Sequence, residues 1–122
     1  MTENIFDKTI EAIINKTKNK IIQWDRIDQN YINRNSFYKK YILDNFVNVD
    51  GINQYVASFT NGNIFFSKDS ESGYCEVAIQ PGPKAAIMPI KSGNSGALRI
   101  LEEEIKEKID NPDDFINKLL EE

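Results

Sequence analysis

Tyr55-Val-Ala-Ser-Phe59, Thr60-Asn61-Gly62-Asn63 and Ile64-Phe-Phe66 are the stretch on which the fold turns. Two aromatic, β-branched runs flank an Asn-Gly pair, the strongest short-range signal for a hairpin, because both positions of a type I′ turn need positive φ. With Asn61-Gly62 as the turn, Thr60 faces Asn63, Phe59 pairs with Ile64, Ser58 with Phe65 and Ala57 with Phe66. Side chains alternate along a strand. Tyr55, Ala57, Phe59, Ile64 and Phe66 therefore share one face, and Val56, Ser58, Phe65 and Ser67 share the other.

The pattern continues toward the C-terminus. Asp69-Ser-Glu-Ser-Gly73 reads as a second turn leading into Tyr74–Gln80, where Cys75, Val77 and Ile79 alternate with Tyr74, Glu76 and Ala78. Pro81-Gly82-Pro83-Lys84 makes a third turn, and Ala85–Ile90 a fourth strand. The expectation is a four-stranded antiparallel meander with one face covered. Cys75, Val77 and Ile79 join the covered side. The open side is polar overall and carries Phe65 and Tyr74.

Helices flank the meander. Phe6, Ile10, Ile13, Ile14 and Ile21 recur at helical spacing, predicting a helix over Ile5–Ile22 with Asn4 as N-cap and Glu3 and Asp7 at its positive end. Phe37, Tyr38, Tyr41, Ile42 and Phe46 suit a short helix capped by Ser36, although an irregular strand also accommodates residues 25–50. Leu98, Leu101, Ile105 and Ile109 form the apolar stripe of a helix over Ala97–Ile109, with Glu102→Lys106 and Glu104→Lys108 as i,i+4 pairs. Asn111-Pro112-Asp113-Asp114 restarts a final helix that carries Phe115, Ile116, Leu119 and Leu120. The whole chain, residues 1–122, reads as one α+β domain with its N-terminal and C-terminal helices packed on one face of the sheet.

Composition narrows the function. Formal charge is −4, hydrophobic residues make up 40% and charged residues 28%, which is ordinary for a globular chain. Residues 1–50 carry eight Lys/Arg against seven Asp/Glu, whereas residues 95–122 carry four against nine. The basic surplus of a phosphate-backbone binder is missing, so nucleic acid is disfavoured as a partner. Trp24, Tyr31, Phe37, Tyr38 and Tyr41 interleave with Arg26, Arg34, Lys39 and Lys40 in a way that suits base stacking. Core aromatics alternating with solvated charges produce the same pattern. A single cysteine excludes an internal disulfide, and no leader or run of about 18 apolar residues is evident, so a cytoplasmic chain away from the membrane is expected.

The chain has no histidine, which removes the commonest general base and metal ligand and any Ser-His or Cys-His pair. Cys75 points to the covered face, where a thiol is inert. Asp25, Asp28, Asp44 and Asp50 leave carboxylate catalysis formally open, yet Asp is equally a turn and capping residue. No catalytic residue, metal ligand or cofactor is assigned.

Two surfaces stand out. One comprises the open sheet face with Phe65 and Tyr74 and the acidic helix with Glu102, Glu103 and Glu107, suited to a partner protein. The other is Lys91-Ser92-Gly93-Asn94-Ser95-Gly96-Ala97-Leu98-Arg99, a Gly/Ser loop at a helix N-terminus whose free N–H groups favour an anion, with Lys84 near enough in sequence to help. It lacks the ending of a P-loop and the spacing of a dinucleotide fingerprint.

Ile21-Ile22-Gln23-Trp24, Tyr55-Val-Ala-Ser-Phe59, Asn61-Gly62, Tyr74–Gln80 and the acidic end with Asp113-Asp114-Phe115-Ile116 give the whole chain a resemblance to small proteins of low-GC Gram-positive bacteria and their mobile elements. That resemblance carries over no functional residue. What it implies is a setting of immunity proteins, inhibitors of host defence and accessory subunits. The order α-β-β-β-α also resembles double-stranded RNA binders, against which the extra strand, the acidic tail and the lack of a basic helix start all count. The leading expectation is a non-enzymatic protein-binding regulator or inhibitor. The alternative is a sensor of a small phosphate-bearing ligand or nucleotide at Ser92–Gly96.

Overall fold

The computed structural model describes residues 5–46, 51–109 and 112–121, with the side chains of 112–115 left aside. Asn4 and Glu3, Asp50 and Asn111 lie outside the described residues, as do the side chains of Asp113, Asp114 and Phe115. Helix α1 (Ile5–Lys18) is followed by β1 (Asp25–Arg26), α2 (Gln29–Arg34) and α3 (Ser36–Asn45). Then come β2 (Ile52–Phe59), β3 (Gly62–Asp69), β4 (Cys75–Gln80), β5 (Met88–Gly93), α4 (Gly96–Ile109) and α5 (Pro112–Glu121). The strands form one antiparallel sheet in the order β1-β2-β3-β4-β5. The expected meander is there, with β1 as a fifth strand: Asp25 pairs with Val56 and Arg26 with Tyr55. Two residues leave no alternation to read, which is why periodicity passes over them. None of the described helices is long and apolar enough to cross a membrane.

The hairpin register differs from the expected one by two residues. Phe59 pairs with Gly62, Ala57 with Ile64, Val56 with Phe65 and Tyr55 with Phe66, so Thr60-Asn61 is the turn. Positive φ occurs at Lys20, Gly73 and Gly93, not at Asn61 or Gly62. Gly62 serves a different need. A Cβ there would lie 2.2 Å from the Gln80 carbonyl oxygen, so only glycine lets β3 approach the end of β4. A slip of two leaves every side chain on its expected face, and the face assignment survives.

Both faces are covered, however, where one was expected to be open. On the first, α1 and α4 bury Ile10, Ile13, Leu98, Leu101 and Ile105 against Tyr55, Ala57, Phe66, Cys75 and Val77. On the second, α2 and α3 bury Ile32, Tyr38, Tyr41 and Ile42, with Phe46, against Val56, Phe65 and Ala78. The molecule is a three-layer sandwich with helices on either side of the sheet. β5 starts later than expected, at Met88, and takes in Lys91, Ser92 and Gly93. A bulge between Val77 and Ala78 accommodates Pro89, which an edge strand tolerates because it owes no outward N–H.

Helix α1 stops at Lys18, four residues short of its apolar pattern. Lys20 adopts φ 61°, the Ile21 amide donates to the Lys16 carbonyl at 2.8 Å, and the Lys20 amide donates to the Thr17 carbonyl at 3.0 Å. These two bonds are those of a Schellman closure, with lysine where glycine is usual. The turn leaves Ile21 exposed and swings Ile22 and Trp24 into the core. There the Trp24 indole N–H donates to Thr17 Oγ1 at 2.9 Å. The N-cap of α3 is Asn35, whose side chain accepts from the Tyr38 amide at 3.1 Å, and not Ser36. Asp28 caps α2, accepting from the Tyr31 amide at 2.8 Å, so this carboxylate has a structural task.

Gly62→Ala should cost about 2–3 kcal/mol in urea denaturation, because backbone, rather than a movable side chain, occupies the space. Gly82→Ala, whose Cβ would meet the Ala85 side chain at an ordinary 3.7 Å, should stay within about 0.5 kcal/mol.

Candidate functional site

Of the expected partner surface, the structure removes the centre. Phe65 is fully buried, its ring 4.6 Å from that of Tyr38 and 6.3 Å from that of Tyr31, because α2 and α3 close over the face that was expected to be open. Tyr74 stays partly exposed at the rim and packs edge-on to Phe46 at 5.8 Å. Among the acidic residues, Glu103 and Glu107 face solvent, whereas Glu102 is only 7% exposed.

The second face is polar because its polar groups answer one another. Glu76 is buried, and its carboxylate accepts from the Tyr41 phenol and, at 2.7 Å, from the Tyr74 phenol. Tyr38 donates to Gln54 and lies 3.5 Å from the Ser67 hydroxyl. Gln80 accepts from Asn63 at 2.9 Å and from Asn35 at 3.4 Å, and donates to the Ala85 carbonyl at 3.0 Å. Burial holds the Tyr38 and Tyr41 phenols well above their ordinary 10.0, and in Tyr41 the Glu76 carboxylate pushes the same way. With both carboxylate oxygens occupied and all three phenols held protonated, this cluster is a structural joint between α3 and the sheet. Sequence reasoning missed it because Tyr41 and Glu76 lie 35 positions apart. The only signal was Glu76 itself, a charge between Cys75 and Val77.

The expected anion loop is divided. Ser92 and Gly93 belong to β5, opposite Glu76 and Cys75, so only Asn94 and Ser95 connect strand to helix. Lys91 faces α1, where its ammonium donates to Asp7 at 2.9 Å. Arg99 instead lines a cleft between the β3–β4 turn and α4, together with Lys68, Asn94, Glu102 and Glu103. Lys91 has no part in that cleft, so the two cations of the anion reading work in different places. Glu102 anchors the cleft. Its Oε1 accepts from Lys68 at 2.9 Å, while its buried Oε2 has no hydrogen-bond donor and only the Lys106 ammonium 3.9 Å away. A buried oxygen without a donor costs about 1–3 kcal/mol. Both i,i+4 pairs expected on α4, Glu102–Lys106 and Glu104–Lys108, are present.

Cys75 is 1% exposed, its thiol directed to the Gly73 carbonyl at 3.4 Å and pushed up by burial. Among the described residues, no three Asp, Glu, Cys or His side chains gather closely enough to hold a metal ion. No family model, curated protein or solved structure matches the chain, so its function has to be argued from its own geometry.

Phe65→Asp places an unpaired charge in a closed core and should cost about 4 kcal/mol or more, abolishing the folded near-UV circular dichroism spectrum. Stability should also fall in alkali. The folded chain keeps the Tyr38 and Tyr41 protons above 10.0, while the unfolded chain begins to release them there. The contribution is complete below that pH and is lost above it, at up to about 1.4 kcal/mol per pH unit for each phenol. Urea midpoints across this range should drop more steeply for the wild type than for Tyr41→Phe, which starts lower because Glu76 has lost a donor.

Proposed function

We propose that the chain is a non-enzymatic protein-binding regulator or inhibitor, of the immunity, anti-defence or accessory-subunit kind, and that α5 makes the central contact. The observation that carries this reading is the exposure of an apolar row on that helix. Ile116, Leu119 and Leu120 are 48%, 58% and 78% exposed, and none belongs to either core. Their i, i+3, i+4 spacing puts them on one side of the helix. A ten-residue helix is marginal in water without a packed face. Docking would supply that face, with up to roughly 1.5–3 kcal/mol for each such side chain withdrawn from water.

Charge supports a choice of partner. Glu103 and Glu107 on α4 and Glu121 on α5 are exposed, and the last 28 residues carry nine acids against four bases. A groove that is apolar along its floor and rimmed by Lys and Arg complements such a helix in both respects. Association with it should slow as salt is raised.

The test compares capture of a partner by the wild type and by Leu119→Glu/Leu120→Glu. The variant should keep the melting temperature of the body and lose at least about 100-fold in affinity. Leu43→Glu, which alters an equally exposed leucine on α3, should bind normally. Equal capture by both leucine variants, or no captured protein, overturns the reading. Concentration-dependent self-association abolished by the double substitution would reassign the face to a second copy.

A further inference from the structure

Independently of α5, the geometry points to the end of the sheet that carries the β2–β3 turn as a docking surface for an anionic phospholipid bilayer. Four connections meet at this end. The β4–β5 turn lies against the hairpin, since the Gly82 amide nitrogen would stand 3.3 Å from a Cβ on Gly62. The α2–α3 junction joins them: Asn35 donates to Gln80 at 3.4 Å, and Arg34 and Phe37 share a cleft with Pro83. The turn that closes α1 arrives beside them. Because β1 is antiparallel to β2, Asp25 opposite Val56 directs the residues before it toward Phe59. At or beside each connection is an apolar side chain that neither core takes up: Ile21, Phe37, Phe59 and Met88 are all exposed. Register sets two of them on one face. Ala57, Ile64, Ile79 and Met88 lie opposite one another across four strands, with Phe59 two residues beyond Ala57.

Cations surround this apolar patch. Residues 12–24, 29–43, 51–68 and 77–101, which supply this end, contain no Asp or Glu. Lys18, Lys20, Arg34 and Lys84 are exposed there, and none makes an ion pair among the described residues. Asp25 and Asp28 stand back, the first opposite Val56 and the second turned to the Tyr31 amide. Glu102 and Glu103 are at the other end of the sheet, beside the β3–β4 turn. The eight residues of β3 separate the two ends by roughly 25 Å, about three Debye lengths at physiological salt. An anionic surface therefore attracts the basic end despite the net charge of −4. Single-stranded nucleic acid is held by aromatic stacking and would leave aliphatic Ile21 and Met88 in water. The boundary of headgroups and acyl chains takes all four apolar side chains, while the cations meet the phosphates. Contact of this kind needs no spanning segment, so it is open to a chain whose described helices do not cross a membrane.

Sedimentation of the whole chain with vesicles tests the surface. Vesicles of phosphatidylglycerol and phosphatidylcholine in equal parts should bind it at least about tenfold more tightly than phosphatidylcholine alone, and added salt should weaken the binding. Lys18→Glu/Lys84→Glu and Ile21→Ser/Phe59→Ser, all at exposed positions, should each lower the affinity by about tenfold or more while the fold is kept. Should the apolar variant fold poorly, the amide signals of Thr60, Asn61 and Lys84 in the wild type should be the ones that vesicles broaden. Leu119→Glu/Leu120→Glu should bind vesicles as the wild type does, which separates this surface from the α5 reading. No sedimentation, equal affinity for neutral vesicles, unchanged binding in the charge variant, or loss of binding in the α5 variant would overturn the assignment. Binding of a single-stranded oligonucleotide in place of vesicles would overturn it in favour of nucleic acid.

Discussion

A carboxylate enclosed in protein must be given donors, and Glu76 receives two from phenols of different origin. Tyr74 comes from the residue before β4 and Tyr41 from α3, so satisfying one buried charge pins α3 to β4. Losing either donor would leave an acceptor closed away from water, which is far more costly than the bond is favourable. The same rule extends along the face. Gln80 is met by Asn35 and Asn63, and Ser67 lies beside Tyr38. The α2–α3 pair can cover this side of β4 only because its tyrosines and Asn35 bring the partners that the strand demands.

The opposite face follows ordinary hydrophobic packing, with a polar device at the end of α1. Lys20 turns the chain in the left-handed region, and Trp24 enters the core carrying an indole N–H that Thr17 accepts. Thr17 in turn donates to the Ile13 carbonyl at 2.8 Å, so the bond chain ends in the backbone of α1. This locks the segment into β1, the narrow fifth strand beside β2.

With both sheet faces closed, the helices that follow the meander present exposed acidic and apolar residues. α4 sits against the sheet through Leu98, Leu101 and Ile105 and presents Glu103 and Glu107 outward. α5 presents the leucines that no core takes up. The cleft at the start of α4 is of another kind, polar, small and centred on Glu102.

Local pattern determined much of this on its own. Alternation assigned Tyr55, Ala57, Phe66, Cys75 and Val77 to one side and Phe65 and Glu76 to the other, and helical spacing found α1, α3, α4 and α5. Those signals depend on neighbours within a few residues, and a two-residue error in register leaves them intact. Tertiary structure alone decided that Phe65 and Glu76 are interior, that Gly62 is there for the Gln80 carbonyl, and that Lys91 turns to Asp7, away from the cleft that Arg99 lines with Lys68. Each of these depends on groups far apart in the chain: 35 positions between Tyr41 and Glu76, 84 between Asp7 and Lys91. A strand face with polar residues looks alike whether water or a ring of phenols satisfies it, and only the packed molecule distinguishes the two.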